Sequence, residues 1–157
     1  MSKDPIRVAI VGIGNCASSI VQSYFYYNQW EGEGPPLGVM NCNLGGYTPR
    51  DILPVAAFDV DRRKIGKDIT SAIFEGPNCA IRYDCDLEPL DVPVNMGPVF
   101  DGVAEWMDVD FQPSDKTPAE VGQVLKDTGA EVMINFLPAA SDKACLLYTS
   151  PSPRDAT

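Results

Sequence analysis

The stretch IRVAIVGIGNCASSIVQ, residues 6–22, limits what this chain can become more than any other feature. Ile6 to Gly12 is a β-branched apolar run without polar alternation, which predicts a strand buried on both faces, as in parallel sheets. Glycines interrupt it. From Asn15 onward apolar residues recur at helical spacing through Ile20, Val21, Tyr24, Phe25 and Tyr27. A buried strand that turns directly into a helix points to a crossover connection, because parallel neighbours cannot be joined by a tight hairpin.

The turn itself reads Gly12-x-Gly14-x-x-Ala17, which fits G-x-G-x-x-G/A between a strand and a helix. In that pattern Gly12 permits the tight turn, Gly14 lets the backbone approach a pyrophosphate, and the small Ala17 lets helix and strand pack closely. The helix start offers unpaired N–H groups and its positive dipole end to a phosphate. Asn15 and Ser18 stand where they can add hydrogen bonds. Without a ligand, the same spacing describes an ordinary glycine-containing strand-to-helix turn.

LPVAAFDVD (Leu53 to Asp61) predicts a second strand ending in acid. Asp59 falls where such folds put the carboxylate that holds the adenosine ribose. The usual gap of about 20 residues is exceeded here because a Gly/Pro-rich connection intervenes. A solvated strand-end acid is the alternative. A carboxylate at this place favours NAD over NADP because it repels a 2′-phosphate, and Arg62 and Arg63, read as exposed on a following helix, weigh slightly against that.

DRRKIGKDITSAIFE predicts one helix or two short ones, while CAIRYDC and the region of VPVNMGPVFDG read as short edge strands. In TPAEVGQVLKDTG, Thr117 is the expected N-cap, Pro118 sits at N1, Glu120 completes a capping box and Gly129 ends the helix. Glu131 to Pro138 reads as another buried strand, and AASDKAC opens a last helix. The alternation predicts an α/β fold, a Rossmann-type doubly wound parallel sheet. Asn135 and Pro138 fall at the C-terminal end of the last strand, the edge where ligands bind. Asn135 is there either a cofactor or substrate contact or a structural cap. The Phe25 to Tyr27 cluster reads as helix core or a subunit contact, and the lysines read as solvated surface.

Composition narrows the function. A chain of 157 residues with 45% hydrophobic content suits one domain with a real core. Its net charge of −10 argues against nucleic-acid and anionic-membrane partners. With no histidine, Ser-His-Asp and Cys-His catalysis and His-ligated zinc are excluded within this sequence. Five cysteines with no C-x-x-C pair fit a reduced, cytoplasmic setting better than a disulfide framework. No run approaches membrane-spanning length.

VAIVGIGNCASSIVQ, LGGYTPRDI, VAAFDVDRRKIGKDI, GPVFDGV and EVMINFLPAAS, in this order, resemble the NAD-dependent inositol-3-phosphate synthases, also called myo-inositol-1-phosphate synthases, of the shorter bacterial and archaeal type. GNCASS and FDVD are specific to that family. The resemblance implies an isomerase that turns glucose 6-phosphate into 1D-myo-inositol 3-phosphate by NAD-mediated oxidation, internal aldol cyclisation and re-reduction. It implies NAD bound by Gly12, Gly14, Asn15, Ala17 and Ser18, with Asp59 on the ribose, Asp68 of GKDI as a further cofactor contact, and Asn135 on the nicotinamide side. A divalent metal and a homotetramer are implied for the full-length enzyme, with a role in inositol and phospholipid biosynthesis. The family's catalytic lysines lie in a second region beyond this resemblance, so no catalytic residue is assigned and the chain alone is expected to be inactive. Another NAD-linked oxidoreductase, or a non-enzymatic NAD-binding module, are the rival readings.

The resemblance stops near Ala144. CLLYTSPSPRD, Cys145 to Asp155, is similar to the translation of a transposase-end adapter used in preparing sequencing libraries. The expected organisation is therefore an incomplete NAD-binding Rossmann domain over residues 1–144 and a non-native tail over 145–157.

Overall fold

The computed structural model describes residues 4–36, 38–101, 111–138 and 141–148. Strand β1 spans Ile6–Val11, helix α1 Asn15–Gln29, strand β2 Ile52–Asp59 and helix α2 Ile69–Ala72. Strand β3 covers Val94–Met96, helix α3 Val121–Thr128, strand β4 Val132–Asn135 and helix α4 Asp142–Tyr148. The four strands lie in the order β3-β2-β1-β4, and every pairing is parallel.

Burial of β1 on two faces follows from its lack of alternation. Val8 and Ile10 meet Ala17, Val21 and Phe25 of α1 and Ile69 and Ala72 of α2 on one face. Ala9 and Val11 meet Ala56, Phe58 and Tyr148 on the other, with Val121, Val124 and Leu125 of α3 packed against them. Helices therefore cover both sides, and the expected doubly wound α/β class is what forms. Phe25 joins the core, as one reading of the aromatic cluster had it.

β2 carries a proline at Pro54, which has no N–H to give a ladder. The register with β1 slips there, Val8 facing Pro54 and Ala9 facing Ala56, so the irregularity falls where the bond is lost.

Several local expectations are corrected. The capping box at Thr117–Glu120 does not form, because α3 begins at Val121 with Glu120 as its cap residue. The preceding segment instead gives the Ala119 N–H to the Met96 carbonyl, which holds it beside β3 rather than in a helical turn. A capping box does occur at Thr48 and Asp51, on the 3₁₀ turn Pro49–Asp51 that leads into β2. Gly129 ends α3 in the left-handed region (φ 59°), as expected. The Arg7 guanidinium binds the Thr128 carbonyl at that end, at 3.0 and 2.7 Å.

CAIRYDC forms no strand. The Gln22 side chain bonds the Ile81 carbonyl and the Tyr83 N–H at 3.0 and 2.7 Å, so α1 takes the groups a ladder would have used. Likewise no helix follows Asp61; residues 61–67 form turns, and only Ile69–Ala72 is helical. Gly102 and Val103 of GPVFDGV, Ala139 and Ala140 of the last strand–helix connection, and residues 149–157 of the expected tail lie outside the described residues. Within that tail, residues 145–148 continue α4, and the Tyr148 ring lies 5.9 Å from Phe58.

Two isoleucines test this burial. Ile10 is fully buried and Ile52, in the neighbouring strand, is 38% exposed. Ile10→Ala should cost about 2–5 kcal/mol and Ile52→Ala less than about 1 kcal/mol, read as the difference in urea unfolding.

Candidate functional site

A parallel sheet whose strand order reverses leaves a crevice where neighbouring crossovers part to opposite faces. Here the reversal lies between β1 and β4, and a cleft of about 200 Å³ opens there, at the C-terminal ends of the strands. Gly12 and Gly14 line it, with Asp59 and Lys64 on one side and Phe136, Leu137 and Tyr148 on the other.

The two glycines have different reasons to be glycine. Gly12 sits at φ +83°, and a Cβ there would come within 3.0 Å of the Phe136 carbonyl oxygen. A Cβ on Gly14 would meet nothing within 4 Å. One glycine is required by the protein's own packing; the other faces open space in the cleft, where a ligand's backbone-hugging group would fit. α1 starts directly after Gly14 and has no acidic residue in its first turn, so no carboxylate of that turn opposes an anion at its positive end. These features fit a dinucleotide pyrophosphate. Ala17 is fully buried beneath, which gives the close helix–strand contact the spacing predicts.

The remaining expected residues divide. Asn15 does not stay free: its side-chain oxygen accepts from the Cys79 N–H at 2.8 Å. Ser18 is fully buried, with its hydroxyl accepting from Gln22 at 3.2 Å. Asn135 accepts the Leu137 N–H at 2.9 Å, the structural-cap alternative, and is not among the cleft-lining residues. Asp68 is also away from the cleft. It caps α2 and receives hydrogen bonds from Thr70, Leu90 and Val92. Burial acts to raise its pKa, but the bonds from the Thr70 side chain and backbone, Val92 and Leu90 together hold it below its ordinary value.

Asp59 does line the cleft, but its carboxylate turns inward. Oδ2 accepts the Ile13 N–H at 2.7 Å, and Oδ1 accepts the N–H groups of Val60 and Asp61 at 2.7 and 2.9 Å. Lys64 was expected on the surface and is corrected here: it is 3% exposed, and its Nζ donates to the Ile13 carbonyl at 2.8 Å. It lies 3.7 Å from Asp59 Oδ2. Asn78 completes the group, giving its amide N–H to the Ile13 carbonyl at 3.0 Å. Neither Lys64 nor Asn78 carries a sequence signal, since a lysine in RRK reads as solvent-facing. Arg63 is not on a helix; it grips the buried Asp61 carboxylate at 2.6–3.1 Å.

The cleft's other wall is partly Tyr148, whose phenol is pushed up to about 12 by burial, with the Asp59 charge adding to the effect. Among the described residues no three His, Cys, Asp or Glu side chains gather as a metal site. Nor, among them, is any helix long and apolar enough to cross a membrane.

Similarity to known proteins runs in the same direction. No family model matches the chain. It is 42% identical over 143 residues to the inositol-3-phosphate synthase of Mycolicibacterium smegmatis, covering 91% of this chain and 39% of that protein. The inositol-3-phosphate synthase of Mycobacterium tuberculosis (H37Rv) is 41% identical over 143 residues with the same coverage. That of Corynebacterium glutamicum is 37% identical over 148 residues, 94% of this chain and 40% of the relative. Among solved structures, Ari2 superposes with a TM-score of 0.68 at 26% identity, over 86% of this chain and 38% of Ari2. A myo-inositol-1-phosphate synthase-related protein from Thermotoga maritima superposes at 0.57 with 22% identity, over 85% of this chain and 34% of its own, a likeness of fold. The resemblance carried by GNCASS and FDVD is thus borne out, and the chain spans about two fifths of the length of the curated relatives it matches.

Asp68 gives a test of what was expected to be a cofactor contact. Its lowered pKa means that its contribution is complete above the ordinary value of 3.8 and fades as pH falls through the folded value. Asp68→Ala should cost about 1 kcal/mol near neutral pH, with the gap to the parent closing in acid, as read by urea unfolding across pH.

Proposed function

We propose that this chain, related along 91% of its length to the inositol-3-phosphate synthases, is the NAD-binding part of such an enzyme. The observation that carries the proposal is the glycine loop: Gly12 has no room for a side chain beside the Phe136 carbonyl, while Gly14 leaves space open at the start of a helix without first-turn acid. Gly12, Gly14, Asn15 and Ala17 shape this loop, and the α1 N-terminal N–H groups would receive the pyrophosphate. Ser18 lies buried beneath the loop and Asp59 holds the Ile13 N–H within it, while Asp68 caps α2 and Asn135 caps the turn after β4. When bound, NAD supplies reversible hydride acceptance.

For the whole enzyme we infer the conversion of glucose 6-phosphate to 1D-myo-inositol 3-phosphate by oxidation, internal aldol cyclisation and re-reduction, in a cytoplasmic homotetramer. The cyclisation needs at least one positioned acid or base. Ring closure is therefore assigned to residues beyond those aligned here, as is any divalent metal. Residues 145–157 are proposed to be foreign to the protein; sequencing the source DNA across codon 144 tests this, and native DNA encoding CLLYTSPSPRDAT would overturn it.

Two measurements test the function. Purified chain given glucose 6-phosphate and NAD should form no inositol phosphate, and its formation would refute inactivity of this part alone. In isothermal titration the chain should bind NAD, and Gly14→Val should weaken that binding about tenfold or more while leaving the unfolding midpoint nearly unchanged. Equal binding by Gly14→Val would remove the loop from the site. Tight, well-behaved binding by a monomer would favour a self-sufficient NAD-binding module over part of a synthase.

A further inference from the structure

We propose that Lys64 and Asp59 form one buried positioning pair that holds the Gly12–Gly14 loop in its phosphate-accepting shape, and that Asp59, committed to this task, does not select NAD over NADP. This rests on the dinucleotide reading above and assigns its residues more narrowly.

An ionised carboxylate offers about four lone-pair directions. Around Asp59 the N–H groups of Val60 and Asp61 take Oδ1, and the Ile13 N–H with Lys64 Nζ face Oδ2. Its side chain is 8% exposed. No direction is left for a pair of ribose hydroxyls. Lys64 is equally committed. Its three protons face the Ile13 carbonyl at 2.8 Å, Asn78 Oδ1 at 3.3 Å and Asp59 at 3.7 Å.

Ile13 is what they hold. It stands between two glycines, the residues with the weakest backbone preference, so the loop's shape must be imposed from outside. Asp59 fixes the Ile13 N–H, and Lys64 with Asn78 fixes its carbonyl. The fully buried Ile13 side chain anchors the third direction. The helix N–H groups beyond Gly14 are aimed by this arrangement.

The same pairing removes the electrostatic ground for nucleotide selection. The Asp59 charge is balanced by Lys64, and the next strand-end acid, Asp61, is fully buried and balanced by Arg63. A 2′-phosphate arriving at the end of β2 therefore meets paired charges rather than a bare carboxylate. Removing either member would strand the other as an unpaired buried charge, so Lys64→Met and Asp59→Asn should disturb the loop alike.

The test uses the 157-residue chain and three variants: Lys64→Met, Asp59→Asn and the double variant. Kd for NAD and for NADP should rise together by about tenfold or more in each single variant. Their ratio should stay within about twofold of the parent. The Ile13 amide, slow to exchange in the parent, should exchange about tenfold faster or more in both. An Asp59→Asn variant that gains on NADP while losing NAD, with Lys64→Met shifting the ratio oppositely, would overturn the proposal and make Asp59 the ribose ligand. Unchanged Ile13 exchange in Lys64→Met would overturn the clamp. If the parent binds neither dinucleotide, the cofactor reading fails by itself, and exchange at Ile13 still decides the clamp. If a single variant does not fold, the double variant, which leaves no charge unpaired, takes its place: fast Ile13 exchange supports the pair and slow exchange refutes it.

Discussion

Ile13 has its N–H bound to the Asp59 carboxylate and its carbonyl bound by the Lys64 ammonium and the Asn78 amide. That pair of anchors adds side-chain ties between three stretches of chain: the loop after β1, the end of β2, and the turns after it. Two glycines alone would give the loop freedom without direction. With Ile13 held on both sides, Gly12 stays where no side chain fits beside the Phe136 carbonyl, and Gly14 faces the cleft.

The cleft depends equally on the sheet. Because β1 is apolar on both faces, helices must cover both, and α1 with α2 and α3 with α4 take opposite sides. The reversal of strand order between β1 and β4 then opens the crevice at the strand ends. Edge details follow the same economy of backbone groups. Residues 79–86 are strapped to α1 by Gln22 and Gln29, which bond the backbone at Ile81, Tyr83 and Asp86, so no ladder forms there. Arg7 reaches across to the end of α3 and satisfies the Thr128 carbonyl.

The relation to inositol-3-phosphate synthases gives this arrangement its context, since the aligned portion is about two fifths of those proteins. Within that portion the glycine turn, the start of α1 and the ends of β1, β2 and β4 come together around one cleft.

Local pattern was enough for β1, α1, β2, β4 and the glycine end of α3, because apolar periodicity and a left-handed cap are properties of neighbouring residues. It was also enough to place Gly12 and Gly14 in the turn and Ala17 buried beneath it, because their spacing states which positions must stay small. It failed at Thr117, where Ala119 pairs with Met96 instead of entering a helix. It misplaced Lys64, and it could not show the partners of Asp59, Asn15 and Ser18, which depend on the folded chain rather than on residue type. The sequence by itself therefore determined a strand–glycine–helix unit in a two-faced parallel sheet. Only the tertiary structure decided that the acid at the end of β2 and a lysine read as surface would be spent inward on one loop residue. The physical reason is range: Asp59 and Ile13 are 46 residues apart and Lys64 and Ile13 are 51 apart, so a buried charge finds its partner only after the chain has closed around it.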